Sequence, residues 1–590
     1  MDKHKVATPS KKVIPTLIDL PIEKKNEIIY CTRREKKQFN LIQEPLKKCI
    51  LEWCENTSSH GFSNMVRTDS WIIRIVWLIL VLLFIGYCIF SVVTIILAYF
   101  KYEVVVSYKI VSDSPSPFPA ITICNLNPFD FGTDEYTGTY LENVLINNSI
   151  NPSVKLSTND TAILKVDEIR SIIKAHATAD KNLTSDDLKK KGFTIDTMLI
   201  SCFYNNEECS LEKFHWFRDN DFGNCYTFND LFDDNNQRID SLKTSKSGPE
   251  NGLKMEIFVG VSGIQDVFSI KTGIKVVIHE RGVRPILKYD GIEVSTGVAA
   301  NIVVSRTNFS KQPLPFSSCR KDPENLLSTD SKYHKYTLSI SRYYQKLCYE
   351  ICLQYEQIVP NCQCADPSIP IVDSNLTICS NAKSLNCVKE QRDSFDSSKN
   401  IDEVCGRFCP DSCDQMIYST SISQSSYPTD YYSSILVNQN SLVDKFNPAN
   451  EFTPLTEQVT VKKKRTYINE PYPILSPTTT SLQSNNRLMT IFFNQSNGVQ
   501  SSESTTKPPL SKEKPGKSDV QMSVLMISTF YNDLQYTLIE ESPAMTLEAL
   551  FGLIGGQLGL FMGASFLSFM EILEMVINIA RAYINNKNSK

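Results

Sequence analysis

The 590-residue sequence lacks the marks of several large functional classes. Its charges nearly cancel, 61 Lys and Arg against 65 Asp and Glu, so the basic face that nucleic-acid binding requires has no source and no nucleic-acid partner is expected. There is no His-Glu-x-x-His, no Gly-x-Ser-x-Gly and no phosphate-cradling glycine loop, which leaves an ectoenzyme, or any enzyme, with little support. The first fifty residues hold no apolar core of signal-peptide length, so no amino-terminal cleavage is expected. No internal repeat is visible. Charge is also missing locally, and that absence decides the class.

Between Ile75 and Phe100 no charged residue occurs over 26 positions, and between Ala549 and Met570 none occurs over 22. At about 1.5 Å of rise per residue each run exceeds or matches the roughly 30 Å hydrocarbon core of a bilayer. Both are expected to span. Lys47, Lys48, Arg67 and Arg74 precede the first run, and Arg581, Lys587 and Lys590 follow the second. The positive-inside tendency puts both termini in the cytoplasm of a multi-pass plasma-membrane protein. About 440 residues are left outside. Of 18 cysteines, 14 fall between Cys124 and Cys413, while Cys31, Cys49, Cys54 and Cys88 lie elsewhere. An even, dense set in one compartment reads as seven disulfides in an oxidising space, their connectivity left open by spacing alone. Sequons at Asn147, Asn159, Asn182, Asn308, Asn375 and Asn494 agree with exposure to glycosylation.

Alternation at Tyr102, Val104, Val106, Tyr108 and Ile110 predicts a strand directly after the first span. Short β-branched runs between 250 and 310 predict a central antiparallel β core, and helical patterns surround it near Ile163–Ile173 and Tyr343–Tyr355. Residues 451–517 turn to Ser, Thr, Pro and Lys and read as a mobile insert. Within it Lys462-Lys463-Lys464-Arg465 is a candidate proprotein-convertase site, with a solvated charge run as the plain reading. Val520–Leu538 returns to apolar alternation and leads into the second run.

In that second run Gly552, Gly556, Gly559 and Gly563 recur at steps of four, three and four, so they share one helical face. Glu571, Glu574 and Asn578 continue a similar stripe. The plain reading is a glycine seam for helix pairing. Carboxylates two turns beyond such a face are costly unless they meet water or partners, and a cation path supplies both.

The segment Gly555-Gly556-Gln557-Leu558-Gly559-Leu560-Phe561-Met562-Gly563-Ala564-Ser565 closely resembles the pore helix of acid-sensing channels and their relatives. Phe118-Pro119-Ala120-Ile121-Thr122-Ile123-Cys124-Asn125 and Gly223-Asn224-Cys225-Tyr226-Thr227-Phe228-Asn229 are similar to two further signatures of the same group, the epithelial sodium channel/degenerin family. The resemblance covers most of the chain outside the insert. It implies a membrane α+β architecture: two transmembrane helices, a large disulfide-rich extracellular domain with a central β core and peripheral helices, and assembly as a homo- or heterotrimer with related subunits.

On that resemblance the domains are a cytoplasmic segment (1–70), a first transmembrane helix (71–100), the extracellular domain (101–542), a second helix and pore (543–579) and a cytoplasmic tail (580–590). Gly563, Ala564 and Ser565 are the implied selectivity filter, where the helix breaks and carbonyls and a hydroxyl ring replace the water shell of sodium, the permeant ion. Gly552, Leu553 and Gly556 are the implied gate, although Leu553 replaces an aspartate of acid-sensing members. Glu571 and Glu574 form the cytosolic pore mouth, His60-Gly61 the cytoplasmic gating motif, and Tyr102 with Phe316 an aromatic coupling contact at the wrist. The implied disulfides pair Cys124 with Cys225, Cys202 with Cys209, Cys319 with Cys413, Cys348 with Cys409, Cys352 with Cys405, Cys362 with Cys387 and Cys364 with Cys379. Zinc at Cys362-x-Cys364 is disfavoured, with no His nearby and an oxidising surrounding. No metal or cofactor is expected. Membrane lipid is the expected surrounding.

Members of this family open to protons, peptides or force, or stand open. Acid-sensing members carry carboxylates two and six residues after the cysteine matching Cys387; here Lys389 and Asp393 stand there, so the shared-proton pair is lost. Their histidines outside the first span are replaced by Glu103 and Val104. Mechanosensitive members carry extra cysteine-rich modules that this chain lacks. An extracellular peptide is therefore the expected agonist. A non-conducting receptor is the reading from another class, opposed by the Gly-x-Ser triplet. An ATP-gated channel shares the two-pass plan but not these motifs.

Overall fold

The computed structural model describes residues 47, 50–59, 61–130, 162–180, 183–233, 237–261, 270–373, 375–397, 401–446 and 515–588. The insert, apart from its last three residues, lies outside them, as do His60, Asn147, Asn159, Asn182, Asn494 and the basic run at 462–465. The chain forms two compact units, Met1–Val105 with Pro543–Lys590, and Val106–Ser542.

The first uncharged run folds as one unbroken helix, α1 (Trp71–Tyr99). It contains no Pro, and it is apolar on every face: one stripe through Trp77, Val81, Ile85, Cys88 and Val92 is covered, and the Ile, Leu, Val and Phe side chains of the remaining faces are exposed, which is the composition of a helix surrounded by hydrocarbon. Among the described residues it is the one unbent helix long and apolar enough to cross a membrane.

In the larger unit two sheets enclose the core. One contains β1 (Val104–Ser112), β3 (Leu199–Tyr204), β6 (Leu253–Phe258), β9 (Val298–Ser310), β10 (Asp414–Ser426) and β11 (Val524–Pro543), in the order β10-β9-β11-β6-β3, with β1 alongside β11. The other runs β8-β7-β2-β5-β4, from β2 (Ala120–Asn125), β4 (Phe214–Asp219), β5 (Gly223–Phe228), β7 (Gly273–His279) and β8 (Ile292–Ser295). Alternation places Leu253, Met255, Ile257, Ile302 and Val304 from the first sheet against Ile121, Ile123, Tyr226 and Phe228 from the second. The predicted antiparallel core requires one correction: β9 and β11 run parallel. Alternation specifies which face a strand buries, and both directions bury the same face.

The same register turns Arg306 of β9 inward, where it is 3% exposed. A buried guanidinium survives only when paired. Arg306 donates to Asp113 Oδ2 at 2.8 Å and Ser116 Oγ at 2.9 Å, and stacks over the Tyr531 ring at 4.7 Å. Here the β9–β11 register jumps, Val304 facing Tyr531 and Arg306 facing Tyr536, and the Leu534 carbonyl in the resulting bulge accepts from Asp113 N at 2.9 Å.

Helices α2 (Ala162–Ala179), α3 (Lys332–Ile340), α4 (Gln345–Leu353) and α5 (Ala382–Ser397) surround the sheets. The helix predicted to reach Tyr355 changes at Gln354–Ile358 to a π-helical turn. All seven disulfides are the pairs that the resemblance implies. Cys124 and Cys225 face each other across β2 and β5, and five bridges lie between Cys319 and Cys413. Asn375 is exposed in a turn, whereas Asn308 is half-buried within β9, flanked by β10 and β11.

A second correction falls after the insert. Lys517–Ser523 is a helix, α6, and β11 begins only at Val524. Asp519 accepts from the Gly516 N–H at 3.1 Å, capping the helix, and Val520 is fully buried.

Candidate pore site

The second uncharged run is two helices, α7 (Leu547–Met562) and α8 (Phe566–Asn588). Thr546 starts α7 by accepting from the Ala549 N–H at 3.2 Å. Gly563 ends it in the left-handed region, φ +62°, with its N–H donating to Gly559 O at 3.0 Å. Only glycine adopts that conformation at no steric cost, which makes it a helix stop. Ala564 and Ser565 are not helical. Ser565 begins the next helix: its N–H donates to Ser568 Oγ and its carbonyl accepts from the Ser568 N–H, both at 3.0 Å.

The two helices are bent by 69°. The expected continuous stripe is thereby corrected, because Gly552, Gly556 and Gly559 lie on α7 while Glu571, Glu574 and Asn578 lie on α8. A helix broken between them leaves carbonyls at the end of α7 without intrahelical partners, as at any helix end. Carbonyl oxygens together with the Ser565 hydroxyl are hard ligands of the kind that replace a small cation's water shell.

On the glycine face a Cβ built at Gly552, Gly556 or Gly559 meets nothing within 4 Å in the single chain. Phe561, on α7, stacks on Phe84 at 6.2 Å and meets Tyr87 edge-on at 4.8 Å, fixing α7 against α1. Gly61 is required on two counts: its φ is +89°, and a Cβ there would stand 2.6 Å from Val81 Cγ2. The segment before it turns toward α8. Thr57 Oγ1 donates to Glu571 Oε2 at 2.8 Å, the Ser58 N–H donates to the same oxygen at 3.1 Å, and Ser58 Oγ lies 2.8 Å from Ser568 Oγ. Sequence reasoning missed Thr57, Ser58 and Ser568. The one local signal was the hydroxyl run Thr57-Ser58-Ser59 just before His60.

Tyr102 stands at φ +52° after α1, within 6.2 Å of both the Tyr99 and Phe100 rings. It belongs to the helical unit and Phe316 to the larger one. Lys389 and Asp393 are exposed on α5. Another acidic pair sits at the β4–β5 turn. Asp219 accepts from the Asp221 N–H at 2.8 Å and the Phe222 N–H at 3.0 Å. Burial, followed by the Asp221 charge, pushes the Asp219 carboxyl above its ordinary range, against the pull of Arg284.

The family model described as "Amiloride-sensitive sodium channel" matches residues 53–575. The FMRFamide-activated amiloride-sensitive sodium channel of Cornu aspersum is 24% identical over 577 residues, spanning 91% of this chain and 84% of that protein. The epithelial sodium channel subunit gamma of Bos taurus is 22% identical, with 90% and 82% covered, and the degenerin-like protein asic-2 of Caenorhabditis elegans is 24% identical, with 87% and 83% covered. With the matched span reaching from the segment before α1 into the second helix of the broken pair, the chain belongs to the amiloride-sensitive sodium channel family.

Proposed function

We propose that this chain is a subunit of a sodium-selective, amiloride-blockable channel of the plasma membrane, gated by an extracellular peptide. It crosses the bilayer twice, through α1 and through the α7–α8 pair, with both termini cytoplasmic, and assembles as a trimer with copies of itself or related subunits. The observation that carries the reading is the left-handed stop at Gly563 followed by the unwound Ala564-Ser565. A break at this point inside an apolar helix frees backbone carbonyls, which in a bilayer is tolerated only where they are buried in protein or line a water-filled path, and the Gly-x-Ser triplet favours the path. Gly563, Ala564 and Ser565 are the filter in this reading, Gly552, Leu553 and Gly556 the gate, and Glu574 a carboxylate at the cytosolic mouth.

The peptide stimulus rests on the FMRFamide-activated relative and on Lys389, which interrupts the acid-sensing carboxylate pair. A proton-gated reading has one observation in its favour, the raised Asp219 carboxyl beside Asp221. Expression in oocytes under voltage clamp, alone and with related subunits, tests the function. An amiloride-sensitive sodium current evoked by a short peptide is expected, together with a degraded sodium preference in Ser565→Val. Current evoked by acid and by no peptide would transfer the stimulus to protons. Unchanged ion ratios in a conducting Ser565→Val channel would remove the filter assignment.

A further inference from the structure

We propose that Glu571 is a positioning residue whose carboxylate clasps the cytoplasmic segment to α8, and that the Ser58–Ser568 hydroxyl pair passes that grip to the Ser565 backbone. The proposal rests on the filter reading above and deepens it. Three contacts carry it. One carboxylate oxygen of Glu571 receives two donors from consecutive residues, Thr57 Oγ1 and Ser58 N. The Ser58 side chain reaches a second residue of the same helix, Ser568, at 2.8 Å. Ser568 is 2% exposed, and its hydroxyl oxygen also accepts the Ser565 N–H.

These bonds form one connected path from residues 57 and 58 to residue 565. Accepting from Ser565 leaves Ser568 its own proton, which is free to be donated to Ser58 Oγ. The Ser565 N–H lies at the start of α8, where backbone donors have no intrahelical acceptor and a side chain must supply one. Removing Ser58 takes away one of the partners that holds the Ser568 hydroxyl in place. The filter serine is thus oriented from the cytoplasmic side.

The two roles for Glu571 separate in the conservative variant. A glutamine retains an oxygen that accepts from Thr57 and Ser58 but carries no charge; an alanine retains neither. The test records sodium-to-potassium permeability ratios and single-channel conductance for Glu571→Gln, Glu571→Ala, Thr57→Val, Ser58→Ala, Ser568→Ala and the Ser58→Ala/Ser568→Ala double variant, each with surface labelling. Expected is a ratio lowered about fivefold in Ser58→Ala, the factor that one lost hydrogen bond shifts, and by at least as much in Glu571→Ala, which loses two. Glu571→Gln restores most of the ratio, and the double variant is no worse than Ser568→Ala alone. A glutamine variant as impaired as the alanine one assigns the role to charge and overturns the clasp, as does additive loss in the double variant. If Glu571→Ala fails to reach the surface, Thr57→Val and Ser58→Ala decide by the same ratio. Ser565→Val tests the filter reading separately. An altered ratio there, with unaltered ratios in the clasp variants, sinks the clasp alone; an unaltered ratio in a conducting Ser565→Val channel sinks the filter reading and the clasp that rests on it.

Discussion

Gly552 is a position where one chain by itself imposes no reason for glycine. Its backbone is helical, and a Cβ would meet nothing within 4 Å. In the proposed trimer the cause lies outside the single chain, in another copy approaching the same face, since absence of Cβ permits close helix contact. Closed would then be the tighter state. A group added at 552 would clash only when the pore is shut, and about 1.4 kcal/mol of that difference already shifts the closed-to-open ratio tenfold. Gly552→Cys treated from outside with a charged thiol reagent should therefore leave a standing amiloride-sensitive sodium current, while the parent channel, whose Cys54 and Cys88 are buried free thiols, should not respond. Unchanged or reduced current with labelling confirmed would place the constriction elsewhere. The glycine face itself was legible from spacing. The break was not, because Gly563 continues the step-of-four pattern and only its left-handed backbone distinguishes it; resemblance supplied it. Nor was the Ser58–Ser568 contact legible, since hydroxyls 510 positions apart leave no periodic trace.

Among the elements, those made by local rules were readable and those made by distant partners were not. The strand after α1 follows from alternation at Val104–Ser112, and α2 from its helical spacing. The parallel pairing of β9 with β11, and the bulge opposite Arg306, depend on partners more than two hundred residues away. Val520–Ser523 looked like strand because a short apolar stretch fits either period, and the cap supplied by Asp519 decided for helix. The stems flanking the insert bear on its tolerance to change. Leu442 and Val520 are both fully buried in one cluster with Phe258, and the Phe446 ring meets Phe258 at 5.2 Å. Both stems are thus anchored by their own packing. Loop closure is cheap besides, with each doubling of length costing only about 0.6 kcal/mol. Replacing residues 455–514 with a short Gly-Ser linker should leave surface expression and amiloride-sensitive current within about twofold of the parent. Intracellular retention of that variant, with the stems intact, would mean that the segment contributes to folding.

At the scale of the whole molecule, the proposed function requires a stimulus received by residues 106–542 to be conveyed to the helices, and the chain joins the two units near 105 and 543. The strands at those junctions, β1 and β11, are bound to each other. Asp113 N donates to Leu534 O at 2.9 Å, and Lys109 Nζ pairs with Glu540 at 2.6 Å. Arg306 ties the far end of β1 to the Tyr531 ring. Exposed pairs such as Lys109 with Glu540 add little, but the Arg306–Asp113 bond and the strand pairing join β1 and β11 into one ribbon. The resemblance also implies an aromatic coupling contact, which is a proposal for this chain. Tyr102, directly after α1, and Phe316, three residues before the disulfide-bonded Cys319, are the aromatic candidates. An aromatic pair adds about 0.5–1.5 kcal/mol beyond its buried area, too little to hold the fold together and enough to bias a gate balanced within a few kcal/mol. Tyr102→Ala and Phe316→Ala should each reach the surface normally, bind the agonist, and yield a several-fold smaller evoked current. The double variant should be no weaker than the single ones if the two rings act as a pair. Surface labelling, agonist dose–response and maximal current measure all three expectations. Parent-like currents in both single variants would show that the ribbon alone carries the signal.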